Sequence, residues 1–390
     1  MQTLILKSGR ERSLINRHPW VFSGAVKELP QAQNGEIIRV VDNHNNLLGF
    51  GFFSTNSQIT CRVFEFTNEE ILINADFWVN KILSAYHLRK QLIDFSHTNI
   101  FRLLHAEGDF LPGVIIDIYA TVAVVQILIR GTENIKENIF DALRQIGFKH
   151  IYVKTKSNTQ RLEDVTTPCG WVGEPCEMPV EATENGIKFL VDVETGQKTG
   201  FFIDQRESRK LLGEFSKNKK VLNTFSYSGG FSLYALEGGA TLVHSVDSSK
   251  DAIEMCERNV KLNYPATTNH ESFVADVFDY LKNTEVDYDV MVLDPPAFAK
   301  NSRAVANAAR GYKNLNLIAF KKIKPGGMIF TFSCSQHIDR DLFRKIVFSA
   351  AADAKRNVRV IRQLTQPDDH PINIFHPEGE YLKGLMLYVE

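Results

Sequence analysis

Cys334 lies in the run Thr331-Phe332-Ser333-Cys334-Ser335, directly after the apolar Met328-Ile329-Phe330, and forty residues beyond Asp294, which opens Asp294-Pro295-Pro296. A thiol and a carboxylate, each ending an expected strand, suit the activation of a carbon that is itself a poor nucleophile. A thiolate that adds to carbon 6 of a pyrimidine converts the ring into an enamine able to react at carbon 5. Taken alone, such a cysteine is more often a small buried hydrophobe. Its neighbours have to decide between the two.

The elements that must position these groups are legible from about Ile187 onward, where strand-like and helix-like segments alternate. Val221–Thr224, Leu242–Val246, Phe273–Ala275, Val290–Leu293 and Met328–Phe332 read as strands, with helices over Asp251–Asn263 and Asp341–Ala354. The alternation predicts a mostly parallel, doubly wound sheet. Leu385–Val389 reads as a last, reversed edge strand. Open sheets of this kind bind ligands at the carboxyl ends of their strands.

The first strand runs into Asn223-Thr224-Phe225-Ser226-Tyr227-Ser228-Gly229-Gly230-Phe231. Glycines at such a turn let a ligand approach free backbone amides at a helix start. The Gly-x-Gly-x-x-Gly dinucleotide fingerprint is absent, which speaks against NAD. Asp247 ends the second strand and suits ribose hydroxyls; Asp276 ends the third and suits an adenine edge. Either acid could instead be a helix cap. With Asp294 and Cys334, four candidates fall at four successive strand ends, and their joint spacing points to S-adenosylmethionine. Proline after Asp294 fixes the turn. Ala297 stands between that turn and Phe298, where amino-methyltransferases commonly place an aromatic residue against the base, so carbon methylation is favoured over methylation of an exocyclic amine.

Residues 1 to about 70 read as a small all-β unit with strands near Glu36–Val41, Leu47–Phe53 and Ile59–Phe64. Its basic opening (Lys7, Arg10, Arg12, Arg17) and His18-Pro19-Trp20 fit an RNA-binding module or an ordinary barrel. The stretch after Asn74, with Trp78, Ile82, Tyr86 and Ile93, has helical spacing. Strands then follow near Phe101–His105, Val114–Tyr119, Val122–Ile129 and Ile151–Lys154, with a helix over Ile135–Ile146 and no catalytic cluster.

With 390 residues the chain is long enough for two or three domains, and its 44% apolar and 23% charged residues suit a soluble globular protein. No signal peptide is visible and no stretch suits a membrane span, so a cytoplasmic location is expected. Five cysteines without paired close spacing argue against a disulfide framework or a zinc site, and no metal is expected. The net charge of −1 does not mark a nucleic-acid binder, but residues 297–325 carry Lys300, Arg303, Arg310, Lys313, Lys321, Lys322 and Lys324 without an acid. That run suits phosphate contacts, or else a solvated helix face.

Taken together, Thr195-Gly196-Gln197-Lys198-Thr199-Gly200-Phe201-Phe202-Ile203-Asp204-Gln205-Arg206, the 223–231 turn, Asp294-Pro295-Pro296, Arg310-Gly311-Tyr312-Lys313, Ser333-Cys334-Ser335, Asp369-His370-Pro371 and Tyr381-Leu382-Lys383-Gly384 resemble one family. It is that of the PUA-domain-containing, S-adenosylmethionine-dependent ribosomal RNA cytosine-5 methyltransferases of the large-subunit type I group. The resemblance covers essentially the whole chain. It implies an α/β protein with a PUA-like RNA-binding domain over 1–70, a central mixed α/β domain over 71–190 and a Rossmann-like methyltransferase domain over 191–390. It implies Cys334 as nucleophile and Asp294 as the group gripping cytosine. Phe225, Ser226, Tyr227, Gly229, Gly230, Asp247, Asp276, Asp294, Gln205 and Arg206 would hold the cofactor. Lys198, Pro295, Pro296, Arg310, Lys313, His370 and Lys383 would meet the RNA, expected to be ribosomal. Many RNA cytosine-5 methyltransferases carry a second cysteine after the Pro-Pro turn; Ala297 stands here, so another base must remove the carbon 5 proton. A homodimer is left open, and so are two rivals: an exocyclic-amine methyltransferase, and a non-catalytic RNA-binding protein with a relic fold.

Overall fold

The computed structural model describes residues 1–155, 162–299 and 302–390, so Lys300 lies outside the described residues. The chain divides into two compact units: Met1–Gly186 with Val191–Ile203 and Asp368–Glu380, and Ile187–Leu190 with Asp204–Pro367 and Tyr381–Glu390. Among the described residues no helix is long and apolar enough to cross a membrane.

In the first unit, β1 (Thr3–Leu6), β2 (Trp20–Phe22), β3 (Val26–Glu28), β4 (Ile37–Val41), β5 (Leu47–Phe53) and β6 (Ile59–Glu65) form one sheet, ordered β2-β6-β5-β4-β1-β3. A second sheet follows from β7 (Ile100–His105), β8 (Val114–Tyr119), β9 (Val122–Ile127), β10 (His150–Val153) and β11 (Gly170–Val172), ordered β11-β10-β9-β8-β7. Between them runs the Ala75–Leu92 helix, whose first turn is closed by the Asn74 side chain accepting from the Phe77 amide at 3.0 Å. Its apolar face buries Trp78, Val79, Ile82 and Ala85. Phe52 of the first sheet stacks on Trp78 with ring centroids 5.5 Å apart, and both belong to a core that continues through Leu103, Ile116 and Val125 of the second sheet. β12 (Val180–Glu184) and β13 (Ile187–Val191) carry the chain onward.

This unit also buries charge. Arg89, fully enclosed, donates to both carboxylate oxygens of Asp109 at 2.5 and 2.7 Å, to the Arg102 carbonyl at 2.8 Å and to the Asp369 carbonyl at 2.8 Å. Arg102 in turn forms a two-pronged pair with Asp117 at 2.7 and 2.9 Å, and its amide donates to Asp369 Oδ2 at 2.8 Å. Asp369-His370 thus closes a network of satisfied charges within the unit. Removing one member of such a network strands its partner in a low-dielectric interior. Arg89→Ala is expected to cost about 3–5 kcal/mol, read as a lowered urea midpoint, and a change below 1 kcal/mol would show that Asp109 and Asp369 are satisfied without it.

The second unit holds β14 (Lys220–Thr224), β15 (Leu242–Asp247), β16 (His270–Val274), β17 (Val290–Leu293), β18 (Gly327–Ser333), β19 (Val358–Leu364) and β20 (Lys383–Val389), ordered β16-β15-β14-β17-β18-β20-β19. The pairs from β16 to β18 are all parallel, while β20 runs antiparallel to both β18 and β19. The reversed strand therefore sits one place in from the edge. Sequence patterning misplaced it because the true edge, β19, exposes Arg359, Val360, Ile361, Arg362 and Gln363 and carries no alternation. β20, covered on both faces, is the apolar run expected of an inner strand. Helices Arg206–Glu214 and Gly230–Glu237 pack against one apolar cluster, and Val305–Lys322 and Arg340–Ala354 against another.

Candidate active site

The carboxyl ends of β14, β15, β16, β17 and β18 share one rim, because all five strands are parallel. Leaving β14, Phe225 and Tyr227 adopt φ of 53° and 46° and Gly229 a φ of 84°. Two non-glycine residues in the left-handed region within three positions mark a strained turn, of the sort that clusters at ligand sites. Gly229 has a second reason to be glycine: a Cβ there would lie 2.5 Å from Cys256 Sγ. The turn is held from below by Asn259, whose Nδ2 donates to the Ser228 carbonyl at 2.9 Å. Gly230 then opens the next helix, and a Cβ there would meet the buried Arg209 at 3.0 Å.

Asp247, ending β15, accepts from the Tyr227 amide at 2.9 Å with one oxygen and from the Ser249 amide at 2.9 Å with the other. Each oxygen keeps a lone pair, so the acid braces the turn and can still accept from hydroxyls. The hydroxyls of Ser226 and Ser228 and the Asn223 carbonyl oxygen are buried and have no hydrogen-bond partner among the described residues. Unsatisfied buried polar atoms around a strained glycine turn fit a polar ligand such as a nucleoside. Asp276 does cap the Val277–Asn283 helix, through Oδ1 to the Phe278 and Asp279 amides at 2.9 and 3.1 Å. It remains exposed, and one oxygen is left over. Gln205 and Arg206 are buried, at 2% and 4% exposure, where the Arg206–Glu214 helix begins. Asp247→Ala is expected to weaken S-adenosylmethionine binding by about ten- to a hundredfold in calorimetry, the loss of one or two hydrogen bonds to a charged acceptor; unchanged affinity would remove Asp247 from the cofactor site.

Asp294 follows β17 and Cys334 follows β18. These strands are adjacent, with Leu293 level with Thr331. Both residues are half-buried, Pro295 is buried and Pro296 exposed. The two loops are tied together through Ser335. Its Oγ accepts the Ala299 amide at 3.2 Å and pairs with the Tyr312 hydroxyl at 2.9 Å. Burial pushes the pKa of the Tyr312 hydroxyl up, so it keeps its proton. Lys383 is 4% exposed, and its ammonium donates to the Ser335 and Tyr381 carbonyls at 2.8 and 2.7 Å. Phe298, half-buried, packs on Tyr312 with ring centroids 4.6 Å apart. Cys334 is half-buried; the other cysteine of this unit, Cys256, is buried, and that burial pushes its own thiol up to about 12.

Of the remaining candidates, Lys198 and His370 belong to the first unit: Lys198 stands over the Phe202 ring at 4.2 Å, and His370 is 1% exposed beside Asp369. Within the basic stretch, Lys313 pairs with Asp353 at 2.8 Å, Lys322 donates to the Thr284 carbonyl at 3.0 Å, and Lys324 meets Asp289 at 3.2 Å. Arg303, Arg310 and Lys321 remain exposed. Sequence reading missed Ser335 as a clasp and Tyr312, Asn259, Cys256 and Arg209 as supports. Ser335 and Tyr312 lay inside marked motifs, without these roles.

Comparison with known proteins adds the following. A family model described as S-adenosylmethionine-dependent methyltransferase matches residues 111–377, and one described as PUA-like domain matches residues 4–66. Ribosomal RNA large subunit methyltransferase I of Alteromonas mediterranea is 40% identical over 391 residues, covering 99% of this chain and 98% of its own. The protein of that name from Shewanella frigidimarina is 42% identical over 393 residues, covering 98% of each. A solved structure described as a methyltransferase complexed with SAH superposes with a TM-score of 0.86 at 24% identity over the full length of both chains. One from Streptococcus mutans, described as SAM-dependent, superposes with a TM-score of 0.85 at 23% identity, again over both full lengths. These structures show the fold.

Proposed function

Because this chain belongs to the S-adenosylmethionine-dependent methyltransferase family and carries a PUA-like domain, we propose that it methylates carbon 5 of a cytosine in RNA, with large-subunit ribosomal RNA as substrate. The ribosomal substrate is supported by the names of relatives matched over nearly their whole length. A half-buried thiol and a carboxylate at the ends of adjacent parallel strands, beside the β14 turn, carry the chemistry of the reading. The modules we assign are 1–70 for RNA binding, 71–190 as a central domain and 191–390 for catalysis, in the cytoplasm.

S-adenosylmethionine, when bound, supplies a methyl group on a sulfonium sulfur. Phe225, Ser226, Tyr227, Gly229, Gly230 and Asp247 would hold it, with Asp276, Gln205 and Arg206 beside them. The Cys334 thiolate adds to carbon 6 of a cytosine taken out of any stack, forming a C–S bond as the ring's 5,6 double bond gives up its pair. Asp294 holds the ring nitrogen and amino group, so the negative charge that builds on the ring meets a proton there. After carbon 5 has gained its methyl group, a base takes the remaining proton from that carbon. The freed pair restores the double bond and expels the thiolate. Ala297 cannot serve as that base. Exposed Arg303, Arg310 and Lys321 offer phosphate contacts.

Phe298 stands one residue later than the aromatic of an amino-methyltransferase turn and packs against Tyr312, which favours carbon methylation over an exocyclic-amine reaction. The test is nucleoside mass spectrometry of ribosomal RNA treated with the protein and S-adenosylmethionine. 5-Methylcytidine is expected. N4-methylcytidine, or a methylated purine, would overturn the assignment.

A further inference from the structure

A thiol near its ordinary pKa of about 8.5 is mostly protonated at neutral pH, so a thiolate nucleophile needs help from its surroundings. Lys383 is a buried cation bonded to the Cys334 loop. It is the direct cross-strand partner of Ser333, the residue before Cys334, and its ammonium bonds the carbonyl of Ser335, the residue after. Its stem is enclosed, at 4% exposure, so the head does not sweep through solvent. The Ser335 and Tyr381 carbonyls that it bonds are neutral.

We propose that Lys383 is a positioning residue whose fixed ammonium stabilises the Cys334 thiolate, and that it does so through the sulfur rather than by touching RNA. The inference rests on the reading of Cys334 as nucleophile. Asp294, Tyr312 and Tyr381, also near that loop, carry no positive charge. Asp294 leaves the end of β17, the strand beside β18. Tyr312, from the Val305–Lys322 helix, stays neutral and bonds Ser335. Tyr381, packed with Cys334 against the same apolar cluster, gives its hydroxyl to Asp204 at 2.9 Å. A buried cation favours the charged form of a neighbouring acid, and in a partly desolvated site the shift amounts to about one pKa unit or more.

The experiment follows iodoacetamide alkylation of Cys334 against pH in the full-length protein without RNA, resolved from the other cysteines by peptide mass spectrometry. In the native protein the midpoint is expected below about 8.5. Lys383→Gln is expected to raise it by about one unit, a tenfold smaller thiolate fraction at neutral pH, and Lys383→Arg to restore it. S-adenosylmethionine affinity and the KM for RNA should stay within about twofold, while the acidic limb of the kcat profile moves up with the thiol. A native midpoint at or above the ordinary value overturns the proposal whether or not the Gln variant folds, and so does an unchanged midpoint in a folded Lys383→Gln. A shifted midpoint in a protein that forms no adduct with 5-fluorocytosine RNA would sink the nucleophile reading while leaving the lysine–thiol pairing intact.

Discussion

Cys334→Ala is expected to lower methyl transfer to RNA by at least about ten-thousandfold, because without covalent addition at carbon 6 the carbon to be methylated is not a nucleophile. The same variant should bind S-adenosylmethionine within about threefold of the native protein. Its side chain is half-buried and packs on the edge of an apolar cluster rather than in the β14 turn. The loss belongs in kcat rather than KM, since the thiolate acts only once the base is seated. Radiolabelled methyl incorporation into RNA, beside calorimetric cofactor titration, measures both quantities. Retained transfer with unchanged product would make the cysteine a structural residue and bring the exocyclic-amine alternative forward.

The second large effect is expected at Asp294. Asp294→Asn keeps the shape of the side chain but cannot deliver a proton to the ring nitrogen as negative charge develops during thiol addition. General acid catalysis of this kind contributes about a hundred- to ten-thousandfold, and a loss in kcat of that size is expected. Because the thiol addition itself is impaired, the variant should also form covalent adduct more slowly, in proportion to its loss of turnover. A variant that turned over slowly yet trapped 5-fluorocytosine at the native rate would place Asp294 after the addition step instead.

Much of this site could be read from the chain because it depends on local chemistry at strand ends. Asp247, Asp294 and Cys334 each terminate an apolar run, and the parallel sheet collects such ends on one rim without further information. In the N-terminal sheet β4, β5 and β6 were legible as apolar runs, and the Ala75–Leu92 helix by its spacing, while the short strands β1, β2 and β3 were not read. What stayed hidden depends on contacts far apart in sequence. Ser335 is unremarkable until Ala299 and Tyr312 converge on it. His370, which sequence resemblance placed among the substrate contacts, is enclosed beside Asp369, and Asp369 bonds Arg89 and Arg102, residues more than 250 positions earlier. β19 escaped notice because an exposed edge strand need not alternate, and that omission displaced β20 to the edge.

The central claim, a covalent bond between Cys334 and carbon 6 of a cytosine, is tested most directly by incubating the protein with S-adenosylmethionine and ribosomal RNA containing 5-fluorocytosine. Fluorine at carbon 5 leaves no proton for the base to remove, so the adduct cannot resolve. A protein–RNA band stable to denaturation, mapped by mass spectrometry to the peptide holding Cys334 and absent from Cys334→Ala, is the expected result. Efficient methylation of unmodified RNA by a protein that never forms such a band would contradict it.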